Sequence, residues 1–246
     1  MFQGHGAVVI GSETSGGIRN ITTTNGVSVG TDCGIRIKSR RGRGGVLENF
    51  RFDNWVIEDA KQQAFEINTR YNPSPDAPCG KTTPVFKNFS CSSITIKNAG
   101  QIAKIVGLPE KAIAELRFTA INATGKIGFI IDQATDVELH HVRSAATSGS
   151  PISVEYSSHL GLDDVSHLVL DDVSPRSAKS TTPAIAVTHF TDLVVRNSRA
   201  AAGTGSFLFF TGAKTAGLVL SAIDLSRAQT DVEFGKDASP QSVTRK

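Results

Sequence analysis

A short apolar pattern recurs along the chain and constrains its fold more than any other feature. Two apolar residues stand two positions apart and a third position follows three residues later, as in Phe50-x-Phe52-x-x-Trp55. The mean spacing between copies is about 28 residues, which is typical of solenoids whose repeats stack on one another. The copies begin at residues 21, 50, 89, 116, 137, 168, 193 and 218.

Within each copy the apolar positions have a period of two, which predicts strands and not helices. The connections are too short for crossover helices. The pattern therefore favours an all-β, right-handed, single-stranded parallel β-helix of about eight to nine rungs, stacked about 4.8 Å apart. A β-sandwich would need recurring hairpin turns between its strands. Asn-Gly is a dipeptide typical of such turns, and Asn25-Gly26 is its one occurrence in the sequence.

A second strand can be placed in each repeat, and its polar residues define a possible groove. Alternation directs Ile35 and Ile37 inward and Arg36 and Lys38 outward. Glu66 takes an outward position in the next repeat. We expect this outer face to be solvated and to line a ligand groove.

The length of 246 residues fits one domain, with residues 235–246 as a C-terminal tail. The spacing between the copies at residues 50 and 89 is longer than the others, which predicts a surface loop at Tyr71–Pro78 beside the groove. No apolar run approaches the roughly 18 residues of a membrane span, so no membrane partner is expected. The first residues lack a basic region followed by an apolar one, so this chain should carry no signal peptide.

The three cysteines cannot form a complete set of internal disulfides. We expect three reduced thiols, with Cys91 packed in the core. A Cys79–Cys91 bridge is the alternative in an oxidising compartment.

Two motifs near the N-terminus carry the strongest functional signal, namely Gly4-His5-Gly6 and Gly34-Ile35-Arg36-Ile37-Lys38. Together with Phe65-Glu66-Ile67-Asn68 they resemble the polygalacturonases, pectin-cleaving inverting glycoside hydrolases built on a parallel β-helix. The resemblance is strong over residues 1–110. It implies an O-glycosyl hydrolase without metal or cofactor, acting on an oligo- or polysaccharide that contains uronate. The parent enzyme would then be secreted or periplasmic.

The resemblance also implies roles for individual residues. His5 would lie beside the catalytic carboxylates, while Arg36 and Lys38 would hold the carboxylate of the substrate. Forked and point-charge cations suit a uronate. Adjacent rungs would place His5 and Arg36 roughly 5 Å apart.

The family's catalytic aspartates lie on Asn-Thr-Asp and Asp-Asp strands that precede the Gly-His-Gly strand. This chain starts at that strand, so we expect it to be truncated and weak or inactive on polygalacturonate. Asp163-Asp164 and Asp171-Asp172 flank the repeats in turns and are not replacements. An exposed first rung would also favour a homo-oligomer formed through the N-terminal end.

Other carboxylates on the outer face offer a second hypothesis, in which Glu66, Asp132 or Glu155 act as catalytic residues. Asp132 and Glu155 would lie in adjacent rungs about 5 Å apart, the separation of a retaining glycosidase. Glu66 and Asp132 would be nearer 10 Å apart, closer to an inverting enzyme. A third hypothesis is a non-catalytic β-helix that binds a carbohydrate or a polyanion.

The remaining candidates favour structural roles. Tyr71 could stack on a sugar from its loop, whereas Trp55 should be core and Glu13 a turn carboxylate. His140, His141 and His159 lack further ligands at metal-binding spacing. The basic run from Arg36 to Arg43 lacks interleaved aromatic residues, which argues against a nucleic-acid partner.

Overall fold

The structure is a computed structural model and describes residues 1–72, 79–155, 165–171, 174–177, 181–213, 215, 217–238 and 243–245. It is all-β, and the described residues contain no helix. The strands are β1 (Phe2–Ile10), β2 (Ile18–Lys38), β3 (Val46–Glu58), β4 (Gln63–Asn68), β5 (Val85–Val106), β6 (Ile113–Asp132), β7 (Ala134–Ala146), β8 (Ile152–Glu155), β9 (Val165–Asp171), β10 (Ser174–Ser177), β11 (Ile185–Thr188), β12 (Phe190–Arg196), β13 (Thr204–Thr211), β14 (Leu218–Ser221), β15 (Ala228–Phe234) and β16 (Val243–Arg245).

Every ladder between these strands is parallel, and strands of successive repeats lie side by side. One series runs β1-β2-β3-β5-β6-β7-β9-β12-β14-β16. A second series joins β2 to β4, β5, β6, β8, β11, β13 and β15. This all-β arrangement is consistent with a parallel β-helix. Its handedness and its number of rungs stay predictions.

The apolar repeat forms the core in the register that the sequence predicts. Phe50 pairs with Ile21 on one side and with Phe89 on the other. The rings of Phe50 and Phe89 stack with centroids 4.9 Å apart. Trp55 is 7% exposed, which confirms the prediction that it is core. Its indole lies over Gly26, where an added Cβ would come within 2.3 Å of the ring.

The polar residues that precede the repeats form bends in the chain. They share a positive φ between 54° and 65°, a left-handed conformation that Asn and Asp tolerate better than most residues. Their side chains also stack, since Asn49 Nδ2 donates to Asn20 Oδ1 at 2.5 Å. These bend residues are Asn20, Asn49, Asn88, Asp136 and Asp192.

The second strands alternate as predicted, but their outward polar side chains are buried and not solvated. Arg36 is 6% exposed, Lys38 7% and Glu66 3%. The expectation of a solvated face is therefore wrong for these residues. The chain after β2 and the chain after β4 meet above them, where the Tyr71 amide donates to Ser39 O at 3.1 Å. Beneath this contact Glu66 accepts hydrogen bonds from Arg36 and Asn68.

All three cysteines are free, with Cys33 and Cys91 buried and Cys79 exposed. This confirms the placement of Cys91 in the core and contradicts a Cys79–Cys91 bridge. Burial raises the pKa of the Cys91 thiol well above its ordinary value.

Several predictions concern the ends of the chain or fall outside the described residues. Phe2 is 75% exposed, and self-association through this end stays a prediction. Residues 243–245 of the predicted tail form β16, which pairs with β14. Residues 73–78 of the insert, His159, Asp163-Asp164 and Asp172 lie outside the described residues. Within the described part of the chain there is no helix capable of spanning a membrane.

Candidate functional site

His5 lies on β1 between two glycines that the local backbone requires. Gly4 has a φ of 135°, and a Cβ on Gly6 would fall 2.5 Å from Val9 Cγ2. The pairs Gly4–Thr31 and Gly6–Cys33 bring His5 beside β2. Its Nδ1 lies 3.5 Å from Asp32 Oδ2, and its Nε2 lies 3.4 Å from Arg36 Nη1. The structure therefore brings His5 and Arg36 together as predicted.

The guanidinium of Arg36 is held from the neighbouring repeat. Its Nε donates to Glu66 Oε2 at 2.5 Å. Its Nη2 donates to Gln62 Oε1 at 3.1 Å and lies 3.4 Å from Gln63 Oε1. Because these contacts fix the planar group, Nη1 stays directed toward His5.

The carboxylate of Glu66 is enclosed by donors. Besides Arg36, Asn68 Nδ2 donates to its Oε1 at 2.9 Å, and Lys104 Nζ lies 4.0 Å away. A general acid must carry a proton that it can release to the leaving group. A carboxylate that accepts from a guanidinium and an amide is instead arranged to remain an acceptor.

Lys38 is a buried cation without an anionic partner among the described residues. Its Nζ lies 4.2 Å from the centroid of the Tyr71 ring. A cation–π contact offsets only part of the cost of removing an ammonium group from water. The position of Lys38 therefore favours the binding of an anion that the described residues do not supply.

Asp132 lies at the end of β6 and is 9% exposed. Its Oδ2 accepts from Arg70 Nη1 at 3.0 Å. The backbone register places Asp132 opposite Glu155, so these residues are in adjacent repeats as predicted. The side chain of Glu155 is not among the described ones.

Glu66 and Asp132 do not share one column of side chains. Glu66 aligns with Lys104 and then with Ile130, two residues before Asp132. The predicted pair is therefore offset along the strands as well as separated by two repeats. Each carboxylate instead has its own arginine.

The arginines after β2 hold loops together. Arg40 Nη1 donates to Asn72 O at 2.9 Å. Arg41 makes a two-point contact with Glu110 at 2.5 and 2.8 Å. Arg43 pairs with the exposed Glu13, which lies in the loop between β1 and β2. These basic side chains are thus engaged within the chain.

Four residues of this site were missed by the sequence analysis, namely Asp32, Gln62, Gln63 and Arg70. Asp32 could have been found by aligning β1 with β2, since it stands opposite His5. Arg70 carries no comparable signal, because its partner Asp132 is 62 residues away. Within the described residues, no three His, Cys, Asp or Glu side chains are grouped as a metal ion would need.

Comparison with known proteins gives the family. Residues 1–141, more than half of the chain, match the profile of Glycosyl hydrolases family 28. The chain belongs to this family. The predicted resemblance to polygalacturonases is confirmed, and the match extends beyond residue 110.

Three curated relatives show how much of such an enzyme is represented. An exo-poly-alpha-D-galacturonosidase of Dickeya chrysanthemi is 31% identical over 99 residues, covering 39% of this chain and 16% of the relative. A probable polygalacturonase of Vitis vinifera is 26% identical over 134 residues, covering 53% of this chain and 27% of the relative. A polygalacturonase of Ralstonia nicotianae is 26% identical over 156 residues, covering 62% of this chain and 27% of the relative. The matched segment is thus about a quarter or less of each relative. No solved structure matches the chain.

Proposed function

We propose that the buried polar face of β2 and β4 binds a carboxylate of a pectin-type glycan in a family 28 glycoside hydrolase. Lys38 carries this proposal, because the residue is 7% exposed and has no anionic partner within the described residues. Arg36 stands two residues away on the same side of the strand. A uronate carboxylate would supply the missing negative charge.

The two cations would act differently on that carboxylate. Arg36 is fixed by Glu66 and presents Nη1 beside His5, so it offers a donor of defined direction. Lys38 offers a point charge whose three donors can rotate. Because both groups are largely removed from water, their attraction for an anion is screened less than at an open surface.

We further propose that this chain alone is weak or inactive on polygalacturonate. The proposal is supported by the state of Glu66 and Asp132, since each carboxylate is bonded to an arginine. An inverting hydrolase needs one carboxylic acid and one carboxylate on opposite sides of the bond. Neither residue is free to take the acid role.

A reassigned active site remains the second candidate. It is supported by the backbone pairing of Asp132 with Glu155, which puts two carboxylates in adjacent repeats. Turnover of aryl glycosides that falls in Asp132→Asn or Glu155→Gln would establish it. Turnover unaffected by these changes and by Glu66→Gln would eliminate it. Binding without any turnover would identify a non-catalytic carbohydrate-binding protein.

Titration calorimetry with oligogalacturonate tests the binding proposal. We expect Lys38→Ala to weaken binding at least about tenfold, the loss of one charge-assisted contact. Lys97→Ala is the matched control, because that lysine is exposed and paired with Glu58. It should bind like the unaltered chain. Methyl-esterified oligomers should bind more weakly, and equal affinity for both ligands would refute carboxylate recognition.

A further inference from the structure

We propose that Asp32 is a positioning residue that holds the His5 ring in the tautomer protonated at Nδ1. The consequence for substrate rests on the proposed function, because His5 matters only if the polar face receives a glycan. The tautomer itself can be measured without any ligand. Nothing in the two N-terminal motifs or in the family match assigns a role to Asp32.

The contacts of the ring determine where its proton lies. Arg36 can only donate, so the ring nitrogen that receives Nη1 must be an acceptor. That nitrogen is Nε2, and it must therefore be unprotonated. The proton of the neutral ring then lies on Nδ1, which faces Asp32 Oδ2 at 3.5 Å. The hydrogen bond made by one imidazole nitrogen thus fixes the state of the other.

The position of Asp32 is itself supported. Its second oxygen, Oδ1, lies 3.7 Å from Lys61 Nζ, so the two oxygens of Asp32 face two different side chains. The parallel pairing of β1 with β2 sets Asp32 directly beside His5. The charged groups that face the ring are Asp32 and Arg36, with Lys61 and Glu66 behind them.

The two partners have opposite effects on the ring. Asp32 attracts a proton to Nδ1, whereas the cationic Arg36 disfavours one on Nε2. The Nε2 lone pair of His5 therefore points toward Arg36 Nη1, and a sugar hydroxyl that donates to Nε2 would take the place of that guanidinium donor. Without Asp32 no described side chain would anchor the Nδ1 side of the ring. The ring could then turn away from Arg36, and the constraint that the Arg36 contact places on Nε2 would be lost with it.

The test is long-range nitrogen–proton NMR of the full chain labelled at its six histidines, with His5→Gln assigning the His5 signals. At neutral pH we expect the Nδ1–H tautomer in the unaltered chain and a majority of the other tautomer in Asp32→Ala. Asp32→Asn keeps an accepting oxygen and should retain much of the original pattern. Asp53→Ala is the control, because Asp53 accepts from Ser92 and has no contact with His5.

Oligogalacturonate binding by the same variants separates this inference from the proposed function. We expect Asp32→Ala to bind roughly three- to tenfold more weakly, a loss of one hydrogen bond, with partial rescue in Asp32→Asn. A folded Asp32→Ala chain that keeps the Nδ1–H tautomer would overturn the inference, whatever its affinity. A changed tautomer in a chain that never binds uronate would support the positioning role and refute the binding proposal.

Discussion

The same outward position has different chemistry in the early and the late repeats. From β2 to β5 it holds Arg36, Glu66 and Lys104 in succession. From β11 to β15 it holds Ala186, Phe209 and Glu233. The backbone ladders are parallel in both regions. The difference therefore lies in the side chains that the scaffold displays, as expected when a site is placed on a repetitive fold.

The cores of the two regions both contain contacting phenylalanine rings. Phe50 and Phe89 have ring centroids 4.9 Å apart in the early repeats, and Phe190 and Phe210 have centroids 5.1 Å apart in the late ones. The family match ends at residue 141, before the late repeats. The late region thus also has an aromatic core, but its outward column lacks the succession Arg36, Glu66 and Lys104. We infer that the early charges serve ligand recognition and that the fold does not require them.

The largest expected difference between the two regions is the change in stability when one outward carboxylate is removed from each. Glu66→Leu should lower the free energy of unfolding by about 3 to 5 kcal/mol, because it leaves Arg36 buried without its counter-ion. Glu233→Leu, at the equivalent late position, should cost less than about 1 kcal/mol, because Glu233 is exposed and accepts a single hydrogen bond, from Ser206 Oγ, among the described residues. Urea denaturation of both variants gives the two values.

The double variant Arg36→Met, Glu66→Leu is the sharper form of this test. Replacing both members of a buried ion pair with apolar residues is often neutral for stability. We therefore expect most of the lost stability to return while oligogalacturonate binding stays abolished. A double variant as unstable as Glu66→Leu would show that the early charges are needed for folding, and the comparison would fail.

Much of the fold was predictable because it depends on local alternation. The period of two around Phe50, Phe52 and Trp55 determines which side chains face the core, and each copy repeats that choice. The bends were also visible, since Asn20 and Asn49 occupy a backbone conformation that favours Asn. Handedness has no comparable signature in the pattern of residues.

The burial of the polar face was not predictable from alternation. Alternation shows that Lys38 points away from the core, but not that Tyr71 will lie over it. That contact depends on the path of the chain after β4. The pairing of Arg70 with Asp132 likewise joins residues of different repeats. Such contacts depend on loop conformations and side-chain rotamers, which no periodicity encodes.

A smaller difference in stability is expected between an ion pair in the early loops, Arg41 with Glu110, and one on the surface of the late repeats. The Arg41 guanidinium donates to Glu110 and lowers the pKa of that carboxyl from 4.5 to about 2. A carboxyl with a lowered folded pKa adds stability above its unfolded pKa and loses that contribution as pH falls through the folded value. Glu110→Gln should therefore cost about 1 to 2 kcal/mol at neutral pH, a discounted value because the pair is partly exposed. The difference from the unaltered chain should shrink between about pH 4.5 and pH 2.

The matched late pair is Arg245 with Asp231, whose side chains are 61% and 43% exposed and whose atoms lie 3.3 Å apart. Solvent screens such a pair, so Asp231→Asn should change the free energy of unfolding by less than about 0.5 kcal/mol at neutral pH. Urea denaturation across the acid range measures both variants. Equal costs for Glu110→Gln and Asp231→Asn would mean that Arg41 does not fasten the early loops. A cost for Glu110→Gln that persists below pH 2 would show that the lost contact is packing and not charge.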